Sequence, residues 1–197
     1  MSPIDQPPSD NGKLPVRVEG EDFGSLRVME ELSTDGVSQF IAFRVGEEEY
    51  GVDILAVREI KGWTEVTKLP NTPEYVRGVL NLRGIIVPVF DLRCQFGMGL
   101  TEATPTHVII VVLVDDRLVG VLVDAVSEIL ALNESEISAV PETDLMVAEE
   151  FLAGLATADD RMVAIVDVER LFDPSEMRNT AEQAQSMKVG TEPDEDG

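Results

Sequence analysis

The chain is short of nearly everything that active-site chemistry uses. One cysteine, Cys94, stands alone in 197 residues, so no internal disulfide can form and nothing ties the fold to an oxidising compartment. One histidine, His107, excludes His-rich metal sites and leaves a single candidate for imidazole catalysis. Basic residues are scarce: 15 Lys and Arg stand against 38 Asp and Glu, a formal charge of −23. Nucleic-acid binding needs a basic face that displaces counterions from phosphates, and anionic lipid needs a polybasic patch. The chain is therefore expected to bind no nucleic acid. No apolar run approaches the roughly 18 residues of a membrane span, so no direct membrane insertion is expected. Met1-Ser-Pro-Ile-Asp has neither the basic start nor the apolar stretch of a signal peptide. The reading is an acidic, cytoplasmic protein without a cofactor.

What is present divides into two tails and a body. Residues 1–36 hold four prolines, four glycines and eight acids against three basic residues, with no apolar period. Residues 188–197 form an acidic tip. Segments with so little apolar content cannot offset their ordering entropy, so both are expected to be disordered. The body, 37–172, carries 23 acids and 10 bases. Its apolar residues come in short clusters rich in Val and Ile, which read as strands. Gln39–Val45 alternates, Gly46-Glu-Glu-Glu supplies a turn, and Tyr50–Ile54 returns. Leu55–Ile60, Ile85–Phe90, Ala125–Leu130 and Met162–Val168 follow. Val108–Val114, a turn at Asp115-Asp116 and Leu118–Val123 form the clearest hairpin. Helical signals are fewer. Thr72-Pro73-Glu74 predicts a short helix that Gly78 ends, and Asp173-Pro-Ser-Glu176 predicts another reaching about Met187. Segment 144–153 reads ambiguously. The body is mainly β.

The body also repeats itself. Val45–Val52 resembles Val114–Val121 at an offset of 69, and Val57-Arg-Glu59-Ile60 lies over Val126-Ser-Glu128-Ile129 at the same offset. Gly78-Val79 matches Gly154-Leu155 at an offset of 76, which also aligns Val89-Phe90-Asp91 with Ile165-Val166-Asp167 and Phe96 with Phe172. The change of offset places an insertion within 130–153. Units of ~60–70 residues make marginal cores alone, so the two copies should share one. Small closed or nearly closed barrels would dispose of the edge strands. The approximate division is 37–107 and 108–172, a boundary that strand exchange can blur.

Catalytic signals are weak. His107 precedes a strand, where a single histidine is usually a surface residue. Cys94, in Leu92-Arg-Cys-Gln-Phe, reads as a buried inert thiol rather than a nucleophile. Glu47-Glu48-Glu49 is the nearest approach to a metal cluster and reads as a solvated turn tip. No glycine loop suited to phosphate occurs. A small enzyme using Cys94 or a carboxylate pair remains the alternative to a binding module, with no catalytic or metal residue assigned.

One stretch is specific. Glu49-Tyr-Gly-Val-Asp-Ile, Val57-Arg-Glu-Ile, Leu69-Pro-Asn-Thr-Pro and Gly78-Val-Leu-Asn-Leu-Arg-Gly-Ile-Ile-Val-Pro-Val-Phe-Asp-Leu-Arg93 resemble the CheW family of chemotaxis coupling proteins. The resemblance covers about 37–175 and continues through Val119–Leu130. It implies two packed, five-stranded SH3-like β-barrels around a shared apolar core. It also implies a non-catalytic adaptor, recruited to membrane chemoreceptor clusters, that joins the cytoplasmic tips of methyl-accepting chemoreceptors to the regulatory domain of the histidine kinase CheA. A paralogous receptor and kinase pathway is the alternative setting. Residue by residue, the family's receptor-contacting positions correspond to Val57, Glu59, Gly78, Arg83 and Ile129. On a regular strand Val57 and Glu59 share a face, and each also has a plain reading, as core and as solvated charge. Gly78 either stops a helix or permits a close approach. Arg83, placed in a helix-to-strand connection, either meets the receptor or pairs internally with an acid such as Asp91 or Glu59. The kinase surface is unassigned.

Overall fold

A computed structural model describes residues 36–141, 149–158 and 160–172. The leader before residue 36, the helix expected from Asp173 and the acidic tip lie outside the described residues. The strands are β1 (Val37–Val45), β2 (Glu48–Asp53), β3 (Val57–Gly62), β4 (Val76–Leu82), β5 (Ile85–Asp91), β6 (Val108–Val114), β7 (Arg117–Val123), β8 (Ala125–Asn133), β9 (Ile137–Ser138), β10 (Leu152–Ala158) and β11 (Arg161–Val166). Two one-turn helices, α1 (Leu92–Gln95) and α2 (Val168–Leu171), follow β5 and β11.

The strands form two sheets, ordered β8-β1-β2-β11-β10-β9 and β3-β6-β7-β5-β4. Apart from β9, the second order is the first with each strand replaced by its repeat partner. The registers repeat as well. Ala42 pairs Gly51 as Val111 pairs Gly120, and Gly51 pairs Ile165 as Gly120 pairs Val89. Both parallel contacts, β2 with β11 and β7 with β5, belong to this scheme. Each sheet draws strands from both copies: β3 joins β6 and β7, while β8 joins β1 and β2. The exchange is reciprocal, the signature of a twofold relation.

Burial follows from that arrangement. A cluster including Ile41, Phe43, Val57, Phe90, Val112 and Val166 lies between the sheets. Each sheet also covers its own cluster, and here repeat partners sit at equivalent places: Phe40, Ala42 and Val163 in one, Ile109, Val111 and Val87 in the other. The central strands β1 and β6 are thus buried on both faces over most of their length. That is why Val108-Ile-Ile-Val-Val-Leu-Val is continuously apolar instead of alternating.

Several local expectations change. The helix predicted at Thr72-Pro73-Glu74 is absent; Thr72 Oγ1 donates to Leu69 O, Val76 N–H donates to Pro73 O, and β4 begins at once. Pairing with β5 decides the matter, and Gly78 at φ +137° lies outside helical space. Gly78 therefore stops no helix. The connection holding Arg83 is a hairpin turn: Leu82 pairs Ile85, with Arg83 at φ 51° and Gly84 at φ 92°. Asp115 and Asp116, at φ 46° and 63°, make the same kind of two-residue turn between β6 and β7. The third strand starts at Val57 instead of Leu55, and the last ends at Val166, because Asp167 caps α2.

Candidate functional site

The five receptor-type positions fall on three strands and one turn. Their arrangement depends on a bulge. Val57 pairs Val112 and Glu59 pairs Val111, so Arg58 is an extra residue in β3. Because Val111 and Val112 are neighbours, their partners face opposite sides of the sheet. This overturns the expectation that Val57 and Glu59 share a face. Val57, 3% exposed, enters the cluster between the sheets. Glu59 turns the other way and meets Arg83, Nη2 to Oε2 at 3.5 Å.

That ion pair links the two edge strands of one sheet, since β3 and β4 lie at its opposite ends. The Arg83 side chain is 64% exposed and that of Glu59 only 14%. The arginine therefore rises from a stiff turn onto a carboxylate that the fold already holds. Asp91, the other acid considered for it, is instead bound by Arg77. Ile129, on β8, pairs Ile41 and packs half-buried on the cluster that also takes Val57. Gly78 does permit a close approach, but to this chain's own backbone: a Cβ there would stand 2.2 Å from Thr67 O. The structure thus brings Glu59 to Arg83 and sets Val57 and Ile129 on one large apolar cluster from different sheets, while Gly78 braces the segment crossing β4.

The repeat reproduces this device in the other sheet. A bulge at Ser127 matches that at Arg58, since Val126 pairs Phe43 and Glu128 pairs Ala42. Arg161, at the start of β11, bonds Glu128 and, at 2.6 Å, Glu49 on β2. Nothing in the residue pattern points to this network, since Glu47-Glu48-Glu49 reads as a turn tip. Only Glu47 occupies the turn; Glu48 and Glu49 open β2.

The catalytic candidates do not assemble. Burial, and then the nearby Asp91 and Glu74 charges, push the Cys94 thiol above its ordinary range, which disfavours the reactive thiolate. His107 accepts the Thr104 N–H at Nδ1, while Nε2 lies 3.5 Å from Asp124 Oδ1. Asp124 also receives the Gly46 N–H, so this cluster ties the β1–β2 turn to the start of β6. No group of three or more His, Cys, Asp or Glu suited to a metal occurs among the described residues. Nor is any helix there long and apolar enough to cross a membrane.

Residues 39–176 match the family model described as the CheW-like domain. The chain is 45% identical over 148 residues to the chemotaxis protein CheW of Rhizobium meliloti, spanning 75% of this chain and 95% of that protein. It is 42% identical over 153 residues to that of Klebsiella aerogenes, covering 77% and 92%. Among solved structures, it resembles the crystal structure of a CheW scaffolding protein from Thermoanaerobacter tengcongensis, with a TM-score of 0.65 and 34% identity. The match covers 74% of this chain and 94% of that one.

Proposed function

The chain belongs to the CheW-like domain family of non-enzymatic chemotaxis adaptors, and on that premise we propose that it couples chemoreceptor cytoplasmic tips to the histidine kinase CheA. The observation that carries this reading is the continuous match, 45% identical along 95% of a chemotaxis CheW protein. In it the chain is recruited to membrane receptor clusters by those contacts, and needs no lipid anchor or catalytic group.

Arg83 is the polar anchor of the receptor site. A receptor tip is a rod of amphipathic helices, which offers apolar anchors flanked by charges. Arg83 presents a planar fork of donors, always charged, from a two-residue turn that costs little further ordering on binding. Glu59 orients the guanidinium, while on the other face of the sheet Val57 is buried in the cluster on which the half-buried Ile129 packs.

Arg83→Glu reverses the charge and removes the donors, which should cost on the order of 2 kcal/mol if the contact is desolvated. That is about a thirtyfold loss of receptor-tip affinity. The exposed pair with Glu59 is worth only ~0.2–1 kcal/mol, so the melt should move by a few degrees at most. Titration of the variant against a receptor-tip fragment, and separately against the CheA regulatory domain, gives the test. Receptor binding should fall and kinase binding survive; unchanged receptor affinity refutes the assignment.

A further inference from the structure

Five described residues other than glycine have positive φ: Asn71, Arg83, Asp115, Asp116 and Asp160. Four of them are Asn or Asp, whose short polar side chains hydrogen-bond locally and so tolerate the left-handed region. Arg83 is the exception. Its long side chain gives its own backbone no such help, and strain of this kind persists only where neighbouring structure holds it.

The two hairpin turns differ in how they are held. Between β6 and β7 the turn residues Asp115 and Asp116 suit the conformation themselves, and the residue two places ahead of them, Leu113, is apolar. Between β4 and β5 the residue two places ahead of Arg83 is Asn81, and its Oδ1 accepts the Gly84 N–H at 2.8 Å. That bond bridges Arg83, tying the strand before it to the residue after it. Packing gives no reason for an asparagine here. Leu80 and Leu82, on either side, belong to the apolar cluster that the sheet covers, while Asn81 is exposed and its backbone pairs Ile86. Without the bond the turn is free to leave the left-handed region, and the guanidinium no longer rises onto Glu59 from one direction. Binding then has to draw on the fraction of molecules that still hold the turn, and the apparent affinity falls by that fraction.

We infer that Asn81 is a positioning residue for receptor docking: through the Gly84 N–H it holds the strained turn that aims Arg83, and it does not meet the partner itself. The inference rests on the reading of Arg83 as the polar anchor. It goes further in giving affinity to a residue outside the contact.

A double-mutant cycle on the full chain, titrated with a receptor-tip fragment, tests it. One hydrogen bond of this kind is worth about a fivefold shift in population. Asn81→Ala should therefore weaken receptor binding about fivefold and leave binding to the CheA regulatory domain as it was. Asn81→Asp keeps the acceptor and should restore receptor binding. In an Arg83→Ala background Asn81→Ala should cost nothing more, because the side chain that it aims is gone. The same loss in that background means that Asn81 touches the partner or supports the sheet, and overturns the inference. Full affinity for Asn81→Ala beside an intact Arg83 overturns it too. If Arg83→Ala alone binds as well as the unsubstituted protein, the anchor reading fails and the positioning role falls with it. The hydrogen bond also has a readout that needs no partner. In Asn81→Ala the Gly84 amide should exchange with solvent about fivefold faster, while the paired amides of β4 and β5 keep their rates. An unchanged Gly84 rate, or faster exchange along both strands, overturns the inference whatever the receptor titration gives.

Discussion

Gly78→Ala should largely abolish the folded state, although it adds one methyl group. At φ +137° an alanine pays backbone strain of about 1–3 kcal/mol. Its Cβ would also stand 2.2 Å from Thr67 O and 2.7 Å from Thr67 C, and backbone so close cannot swing aside as a side chain does. Moving it breaks the paired bonds between Thr67 and Val79, each donating its N–H to the other's carbonyl. Overpacking costs a further ~1–3 kcal/mol, and the sum rivals the ~5–15 kcal/mol of a whole domain. Gly84→Ala is the internal control: it too has positive φ, but nothing lies within 4 Å of the added carbon. Urea titrations should show a small shift at Gly84 and a loss several times larger at Gly78. Equal shifts would mean that strain alone acts and that the crossing segment does not press on β4. A receptor-binding defect at Gly78 would then have to be read as contact after all, rather than as damage transmitted through the fold.

Removing the carboxylate of Asp91 should be nearly as damaging. Asp91 is fully buried, yet every neighbour feeds it a donor. Oδ1 accepts Cys94 N–H and the Thr101 hydroxyl, at 3.1 and 2.7 Å; Oδ2 accepts Thr101 N–H at 2.9 Å and Arg77 at 3.2 Å. Arg77 also donates to Thr101 O and stands over the Trp63 ring, so losing the acid strands a mostly covered cation. Breaking one side of such a pair costs about 3–5 kcal/mol. The repeat supplies the comparison. Asp167 caps α2 just as Asp91 caps α1, with nearly identical backbone angles, but its side chain is 27% exposed and beyond the cap makes only a solvent-exposed ion pair with Arg170 at 3.0 Å. Asp167→Ala should cost only about 1 kcal/mol, the ordinary value of an N-cap. Chemical denaturation of Asp91→Ala and Asp167→Ala decides the point, and comparable losses would show that burial adds nothing to the cap.

The repeat was the most legible part of the chain. Gly51 over Gly120 and Asp91 over Asp167 were readable because glycines under close packing and caps under helices tolerate few substitutes, so they mark register. The strands β1, β5, β6 and β7 were readable from their apolar runs. β4 was not, because Thr72-Pro73-Glu74 carries a genuine helix-start signal that pairing with β5 overrides. β10 was missed because Leu152-Ala-Gly-Leu-Ala-Thr-Ala has helix-forming composition and lacks β-branched residues beyond Thr157. Of the residues proposed for docking, Arg83 was singled out through its motif, and Glu59, which the structure pairs with it, was among the acids considered. The opposite facing of Val57 and Glu59 could not be read, since a bulge leaves no mark at Arg58 that period-two counting detects. The Arg161–Glu128–Glu49 network escaped for a related reason: its members are 33 and 112 residues apart and meet only through sheet order.

The reciprocal placement of β3 and β8 also sets a timetable for synthesis. When β3 leaves the ribosome, its one future neighbour does not yet exist; β6 begins 46 positions after Gly62. At roughly 5–20 residues per second, that strand waits about 2–9 s for a partner. Meanwhile the nascent chain can close only the local pairs β1–β2 and β4–β5, each with one apolar face uncovered. The first sheet to become complete is the one ending at β7, and the other waits for β11. An acidic chain repels its copies on neighbouring ribosomes. Residues 1–107 already carry 17 acids against 10 basic residues, a net −7 that keeps those uncovered faces apart during the interval.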